Sequence, residues 1–230
     1  MENRLKINIF GIKFSIVAPW NKYGNKVTLI KNNIIKNIKN IKGCKTKFYG
    51  SNSIVEFSDK VPKMNNVVIH LGNNCKVLFG KSAHRIKNLF INMRADNCML
   101  MIGKDFSIES GKIDYHGEPN LKIEIGDDCL FGSNIEIDPS DGHTIYDCVS
   151  RQQLNKPQNI FIGNHVWLCR NVSVLKGAII SNNSVVGKNS VVTSKFNTSN
   201  VIIAGIPAKI IQSEKYQNIN WSREANKNFF

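Results

Sequence analysis

Residues 162–192 read IGNHVWLCRNVSVLKGAIISNNSVVGKNSVV, and an aliphatic residue stands at every sixth place: Ile162, Leu168, Val174, Ile180, Val186 and Val192. A period of six is foreign to an amphipathic helix, which repeats at about 3.6. It suits short parallel strands joined by tight corners, with an apolar side chain from each strand turned inward. The same frame appears earlier at Ile125, Phe131 and Ile137, so every position of it is apolar in a chain that is only 42% hydrophobic. The residue after the frame position is often small (Gly126, Gly132, Gly163, Cys169, Ser181, Gly187), as a turning backbone requires. The place four residues on is small or medium-sized: Cys129, Ile135, Val166, Val172, Ala178, Ser184 and Ser190. These features predict an all-β fold, a parallel β-helix. No single coil of such a solenoid buries its inner face alone, so stability accrues by stacking and the ends need caps.

Toward the N-terminus the frame weakens, although Leu29, Ile35, Ile41, Leu71 and Val77 still obey it and Ile102 restarts it. The expectation is an N-terminal segment 1–27, then irregular coils from about residue 28 to residue 212, with short insertions such as Tyr115 to Asn120. Between Ile137 and Ile162 the spacing is 25, one step of six plus 19 extra residues, so 138–158 should leave the coil as a protruding loop. Long loops in tight solenoids usually carry function. Residues 213–230, with Trp221, read as a short C-terminal tail outside the coil. The 31 asparagines find a use at corners that need positive φ.

The 230 residues carry 31 Lys plus Arg against 17 Asp plus Glu, a net charge of +14, so the surface must attract something anionic. The densest basic run, Lys31 to Lys47, is interleaved with Ile and Asn rather than with stacking aromatics, which argues against nucleic acid. The six cysteines stand far apart with no CxxC or CxH pair, so they read as reduced thiols rather than a zinc or redox site. The apolar stretch Ile7 to Trp20 is broken by Lys13 and has no small-residue cleavage site, and no run reaches a membrane span. A cytoplasmic chain is expected, with room for peripheral contact at the inner membrane surface.

His143 falls six residues after Ile137, where the next inward side chain would be, but the chain has turned outward there. Its imidazole therefore sits at the root of the excursion, suited to general-base work near neutral pH or to a backbone hydrogen bond. Asp141 and Asp147 flank it, and either could orient the ring or form a turn. Trp167 lies next to a corner, outside the inward frame; its indole N–H is a donor only, suited to developing oxyanion charge, or the ring simply packs. His165 invites a metal reading, but only His143 lies near it in the frame and no metal is expected. Along the last coils, small residues such as Gly177 and Ala178 would let an extended ligand approach the backbone.

Residues 123–147 (IEIGDDCLFGSNIEIDPSDGHTIYD), 160–194 and 202–211 (IIAGIPAKII) resemble the hexapeptide-repeat, left-handed β-helix acyltransferases. The pairing of DGH with HVWL is similar to the O-acetyltransferases that modify bacterial capsule, polysialic acid or lipopolysaccharide sugars. The resemblance implies left-handed coils, a homotrimer with active sites between subunits, acetyl-CoA as co-substrate and a glycan acceptor. It also implies His143 as general base, Trp167 at the acetyl site, and Gly177, Ala178, Lys188, Thr193, Ser194 and Lys209 against coenzyme A, Lys209 near a phosphate. Two positions depart from the family pattern: Cys169 stands where Gly is common, and Lys188 where a small residue is usual. The γ-class carbonic anhydrases share the fold and bind zinc, but their paired-histidine spacing is absent here. An N-acyltransferase of amino sugars and a non-catalytic glycan-binding β-helix are the alternative readings.

Overall fold

The computed structural model describes residues 4–9, 12–17, 23–32, 34–211 and 218–224. The chain winds into a triangular prism whose three faces are sheets of nine, eight and seven strands, and almost every neighbour within a face is parallel. All nine frame positions from Ile125 to Val192 point inward and are at most 3% exposed. The places four residues on, from Cys129 to Ser190, are buried as well, so each hexapeptide contributes two inward side chains.

The coil length changes along the axis. After the excursion one coil is 18 residues, as Asn171 bonding to Asn189 shows. Before it, equivalent residues lie 22 or 23 apart. The six-residue frame therefore holds there only in places: Leu71, Val77 and Ile102 are buried, but a coil of 22 or 23 residues does not carry the frame from rung to rung. There, longer strands such as Ile54–Ser58 and Val67–Leu71 alternate in the two-residue period of ordinary β-structure, burying Val55 with Phe57 and Ile69 with Leu71. Two expectations need correction. Ile35 is 65% exposed, because Ile34–Asn37 folds back antiparallel on Lys26–Lys31 and lies at the sheet edge instead of forming a coil. Tyr115 to Asn120 is a corner rather than an insertion: Tyr115 is fully buried with its hydroxyl donating to the Met99 carbonyl (2.6 Å), and Asn120 joins a corner ladder. Near the N-terminus, Arg4–Ile9 and Ile12–Val17 pair as an antiparallel hairpin. At the other end Ile202–Gly205 and Ala208–Ile210 form a second antiparallel pair on the eight-stranded face.

Thirteen of the nineteen described non-glycine residues with positive φ are Asn, which accounts for the asparagine excess. Their amides stack from rung to rung, Asn74 donating to Asn97 and Asn97 to Asn120, each at 3.1 Å. Asn97→Ala loses these bonds and leaves at φ 57° a residue without the polar side chain that lets Asn tolerate the left-handed region, for an expected cost of about 1–2 kcal/mol. Asn97→Gly should cost less, since glycine adopts that backbone freely. Urea titration of both variants separates ladder from backbone strain.

Candidate functional site

The excursion leaves the prism after Ile135–Asp138 and returns at Ile160–Ile162. Its base closes where Gln158 N–H donates to the Pro139 carbonyl (3.0 Å), and its limbs pair at Tyr146 and Gln153. The result is an arm rather than a slack loop. Asn155 is its internal brace: the side-chain oxygen accepts from the Ile145 N–H, and the amide donates to the Asp141 carboxylate and the His143 carbonyl, each at 2.7 Å. Gly142, at φ +74°, makes the sharp bend that aims the next residue, and a Cβ there would come within 3.2 Å of His116 Nδ1.

The His143 backbone is thus fixed, while its side chain is exposed and makes no hydrogen bond among the described residues. Asp141 is not its partner. That carboxylate is bound by Lys176 and Asn155, and the Lys176 ammonium foremost holds its pKa below the ordinary range. Asp141 anchors the arm to the strand corner rather than orienting His143. Asp147 caps a turn at the arm's tip, accepting from the Val149 and Ser150 N–H groups at 3.0 and 2.6 Å. Four apolar side chains project from the arm uncovered: Ile145, Tyr146, Val149 and Leu154.

Because the Asp141 pKa is depressed in the folded state, its tether is present above the unfolded carboxylate value, about 3.9, and is lost as pH falls through the folded value. Acidification below pH ~4 should therefore lower the amide protection factors of Ile145 and Leu154. Asp141→Asn should show the same loss of protection at neutral pH.

Sequence reasoning missed His116. Its Nε2 lies 3.2 Å from Asp138 Oδ1, directly under the arm's root. Burial pushes the Asp138 pKa up. Neighbouring Asp114 is also buried, but Lys112 at 2.7 Å, the His116 N–H and Asn92 bring its pKa below the ordinary range. The signal was available only at the level of the backbone: His116 occupies the positive-φ corner place (φ 51°) that Asn usually takes.

Trp167 lies on the eight-stranded face, and His143 hangs from an arm that leaves the seven-stranded one. Among the described residues, no hydrogen bond or ring contact joins the two within one chain, and the groove that Trp167 lines does not include His143. Trp167 lines a groove of about 580 Å³ with His84, Ser107, Leu130 and Arg223, and its indole N–H donates to nothing among the described residues. The tail folds back over this edge. Trp221 stacks on His165 at 4.1 Å and donates its indole N–H to the His165 carbonyl, while the ring nitrogens of His165 face Asp128 Oδ2 (2.7 Å) and the Trp221 carbonyl (3.0 Å). Burial opposes ionisation of Asp128, but Arg223 and then His165 hold its pKa below the ordinary range. His165 is thus a clamp for the tail. Residues 213–217 and 225–230 of that tail lie outside the described residues.

Among the residues expected near coenzyme A, Ser194 and Lys209 share a shallow depression of about 530 Å³ with Phe196 and Ala208. Thr193 and Lys188 are exposed. Gly177, at φ +76°, sits against Gln158 at the arm's return. Ala178 is fully buried, its side chain in the core, so only its backbone could meet a ligand. Cys169 is half-buried, and burial pushes its thiol pKa up.

The repeat, the corners and the projecting arm define a left-handed hexapeptide-repeat β-helix, and the crystal structure of the polySia-specific acetyltransferase NeuO has the same fold. The two superpose with a TM-score of 0.62 over 90% of this chain and 88% of that one, at 24% identity. No family model matches the chain. In sequence it is similar to the polysialic acid O-acetyltransferase of Neisseria meningitidis, 37% identical over 123 residues that make up 49% of this chain and 57% of the relative. The enzyme of the same name from Escherichia coli O1:K1 is 34% identical over 122 residues, 53% of this chain and 36% of the relative. A putative lipopolysaccharide biosynthesis O-acetyl transferase of Escherichia coli K12 is 47% identical over 64 residues, 28% of this chain and 32% of the relative. The chain thus spans between about a third and somewhat over half the length of these curated relatives.

Proposed function

We propose that this protein is an O-acetyltransferase that moves acetyl from acetyl-CoA to a hydroxyl of a bacterial surface sugar, capsular or lipopolysaccharide. The observation that carries the reading is His143: backbone fixed by Asn155, imidazole unengaged and exposed at the root of a braced arm. Its unprotonated nitrogen accepts the proton of the sugar hydroxyl as that oxygen attacks the thioester carbonyl. The tetrahedral oxyanion collapses, the carbon–sulfur bond breaks, and the departing thiolate takes the proton back from the imidazolium. The products are an acetyl ester and coenzyme A. Trp167, with its free indole N–H, is a donor for the sulfur or the oxyanion.

His143 and Trp167 occupy different parts of one prism, so a site using both draws them from two copies of the chain. The uncovered apolar residues of the arm support this, since a neighbouring copy would bury them. The reading is therefore a homotrimer with sites between subunits. It works in the cytoplasm, where acetyl-CoA is available, with Ser194 and Lys209 in the depression that takes part of the carrier.

The test is incubation of the protein with labelled acetyl-CoA and a panel of acidic, neutral and amino sugars. Label that enters a glycan and is released by mild base is an ester and supports the reading. Base-stable label on amino sugars alone, or no transfer to any glycan, overturns it. With a net charge of +14, the apparent KM for an acidic acceptor should rise several-fold between about 0.05 and about 0.3 M salt, and that for a neutral one should not.

A further inference from the structure

On the seven-stranded face, several rungs N-terminal to the arm, the sheet register places Lys47 opposite His70 and His70 opposite Asn92. Three rings gather there. Tyr49 meets His70 edge-on at 5.1 Å, and His70 meets Phe90 edge-on at 5.1 Å. Tyr49 is 56% exposed, and Arg94 stands over its ring at 5.5 Å. The Arg94 Nε donates to Asn92 Oδ1 (3.0 Å), and the Asn92 amide passes the constraint to Asp114 (2.9 Å), so the guanidinium is aimed by a buried relay. Its two terminal nitrogens have no hydrogen bond, and Lys45 and Lys47 have no carboxylate partner, among the described residues.

His70 adds a second oddity. Its Nδ1 is buried with no hydrogen-bond partner. Burial, then Lys47 and Arg94, push its pKa down, which keeps the ring neutral at neutral pH. A neutral ring has one proton, and an orphaned buried N–H costs more than an orphaned lone pair, so the proton belongs on Nε2. The face then offers three unpaired cations, one neutral N–H donor and an exposed phenol ring. None of this contributes to the coil's core, which is complete without it.

We propose that Lys45, Lys47, Tyr49, His70 and Arg94 form a binding platform for a carboxylate-bearing oligosaccharide, a subsite for the distal part of the acceptor. Cations and the His70 donor suit carboxylates and hydroxyls, and the phenol ring suits the apolar face of a sugar. The rings pack edge to edge instead of presenting successive open faces, which disfavours a nucleic acid that would stack its bases. The platform is also continuous with the proposed site. From His70, Asn92, Asp114 and Asp138 follow on successive rungs, about 14 Å in all at the ~4.8 Å rung spacing, the length of a few sugar units. Of the carboxylates on this path, Asp114 is paired with Lys112 at 2.7 Å, and Asp138 contacts His116 at 3.2 Å.

This inference rests on the proposed function for its meaning but has its own readout. Sialic acid oligomers of two, four and eight units are titrated against the full protein, beside maltose oligomers of matched length, with and without the paired change Lys47→Gln and Arg94→Gln. Both residues are exposed, so the variant keeps its fold, checked by its melting temperature. The expected result is affinity that rises with acidic length, falls at least tenfold in the variant for the octamer and changes little for the dimer, with coenzyme A binding unaltered. A second variant, Tyr49→Ala, should weaken the octamer several-fold without changing the salt dependence. Equal loss for dimer and octamer, no loss, or an RNA oligomer that binds the same residues more tightly than the octamer overturns the platform. If length-dependent binding is present and lost in the variants while no glycan is acetylated, the platform stands and the acetyltransferase reading falls.

Discussion

His143→Ala should lower kcat by about 10²- to 10⁴-fold, the usual worth of a positioned general base, with the affinity for coenzyme A unchanged. The separation of the two quantities follows from the geometry. The His143 carbonyl, not its ring, is held by Asn155, so truncating the ring leaves the arm's brace and the Asp141–Lys176 tether in place. Loss of binding along with turnover would mean that the substitution had disturbed the arm. Asn155→Ala is the contrasting variant. It removes the brace on Ile145, Asp141 and His143 together, and should raise KM and lower kcat by disordering the arm. If His143→Ala retains full turnover on a hydroxyl acceptor, the imidazole has no chemical role.

The coil was legible because a frame set by one side chain per strand survives wherever the strands are shortest. From Ile125 onward the inward positions could be listed from the sequence and every one is buried. The N-terminal coils escaped the same reading because a strand of five residues buries two alternate side chains, so apolar residues fall at a two-residue spacing and the six-residue count drifts, while Ile35 is exposed because its strand folds back at the sheet edge. The arm was visible as an interruption of known length, and the bend at Asp141-Gly142 as a turn signal. Its bracing was not: Asn155 lies 14 residues from Asp141, and Lys176 lies 35 away. Pairings at such distances depend on how the limbs meet the next coil, which no local pattern encodes. For the same reason His116 and the clamp on Trp221 were invisible, the first resting on contact with Asp138 and the second on bonds made 55 and 56 residues along the chain.

The clamp leads to the second large effect, at Arg223. Its Nε donates to Asp128 (2.8 Å), Nη1 to the Ser107 hydroxyl (2.6 Å) and Nη2 to the carbonyls of Asp105 and Cys129 (each 2.8 Å), with only 18% of the side chain exposed. Arg223→Ala strands these acceptors. Breaking a fully buried pair would cost about 3–5 kcal/mol, but the Asp128 side chain is 43% exposed and water can repair that partner, so about 2–3 kcal/mol is expected. The loss should be local, because the coils beneath have their own core: protection of the Ile219 amide, which donates to the Asn200 carbonyl, should fall by about 30- to 150-fold at nearly unchanged global stability. Lysine cannot rescue it, since one ammonium does not reproduce a planar fork that reaches four oxygens. Trp221 stands 6.0 Å from Trp167, so opening the tail also uncovers one side of the indole proposed to face the thioester. If Arg223→Ala leaves Ile219 exchange unchanged, the tail is held by its contacts with His165 and Asn200, and the guanidinium's bonds add nothing to it.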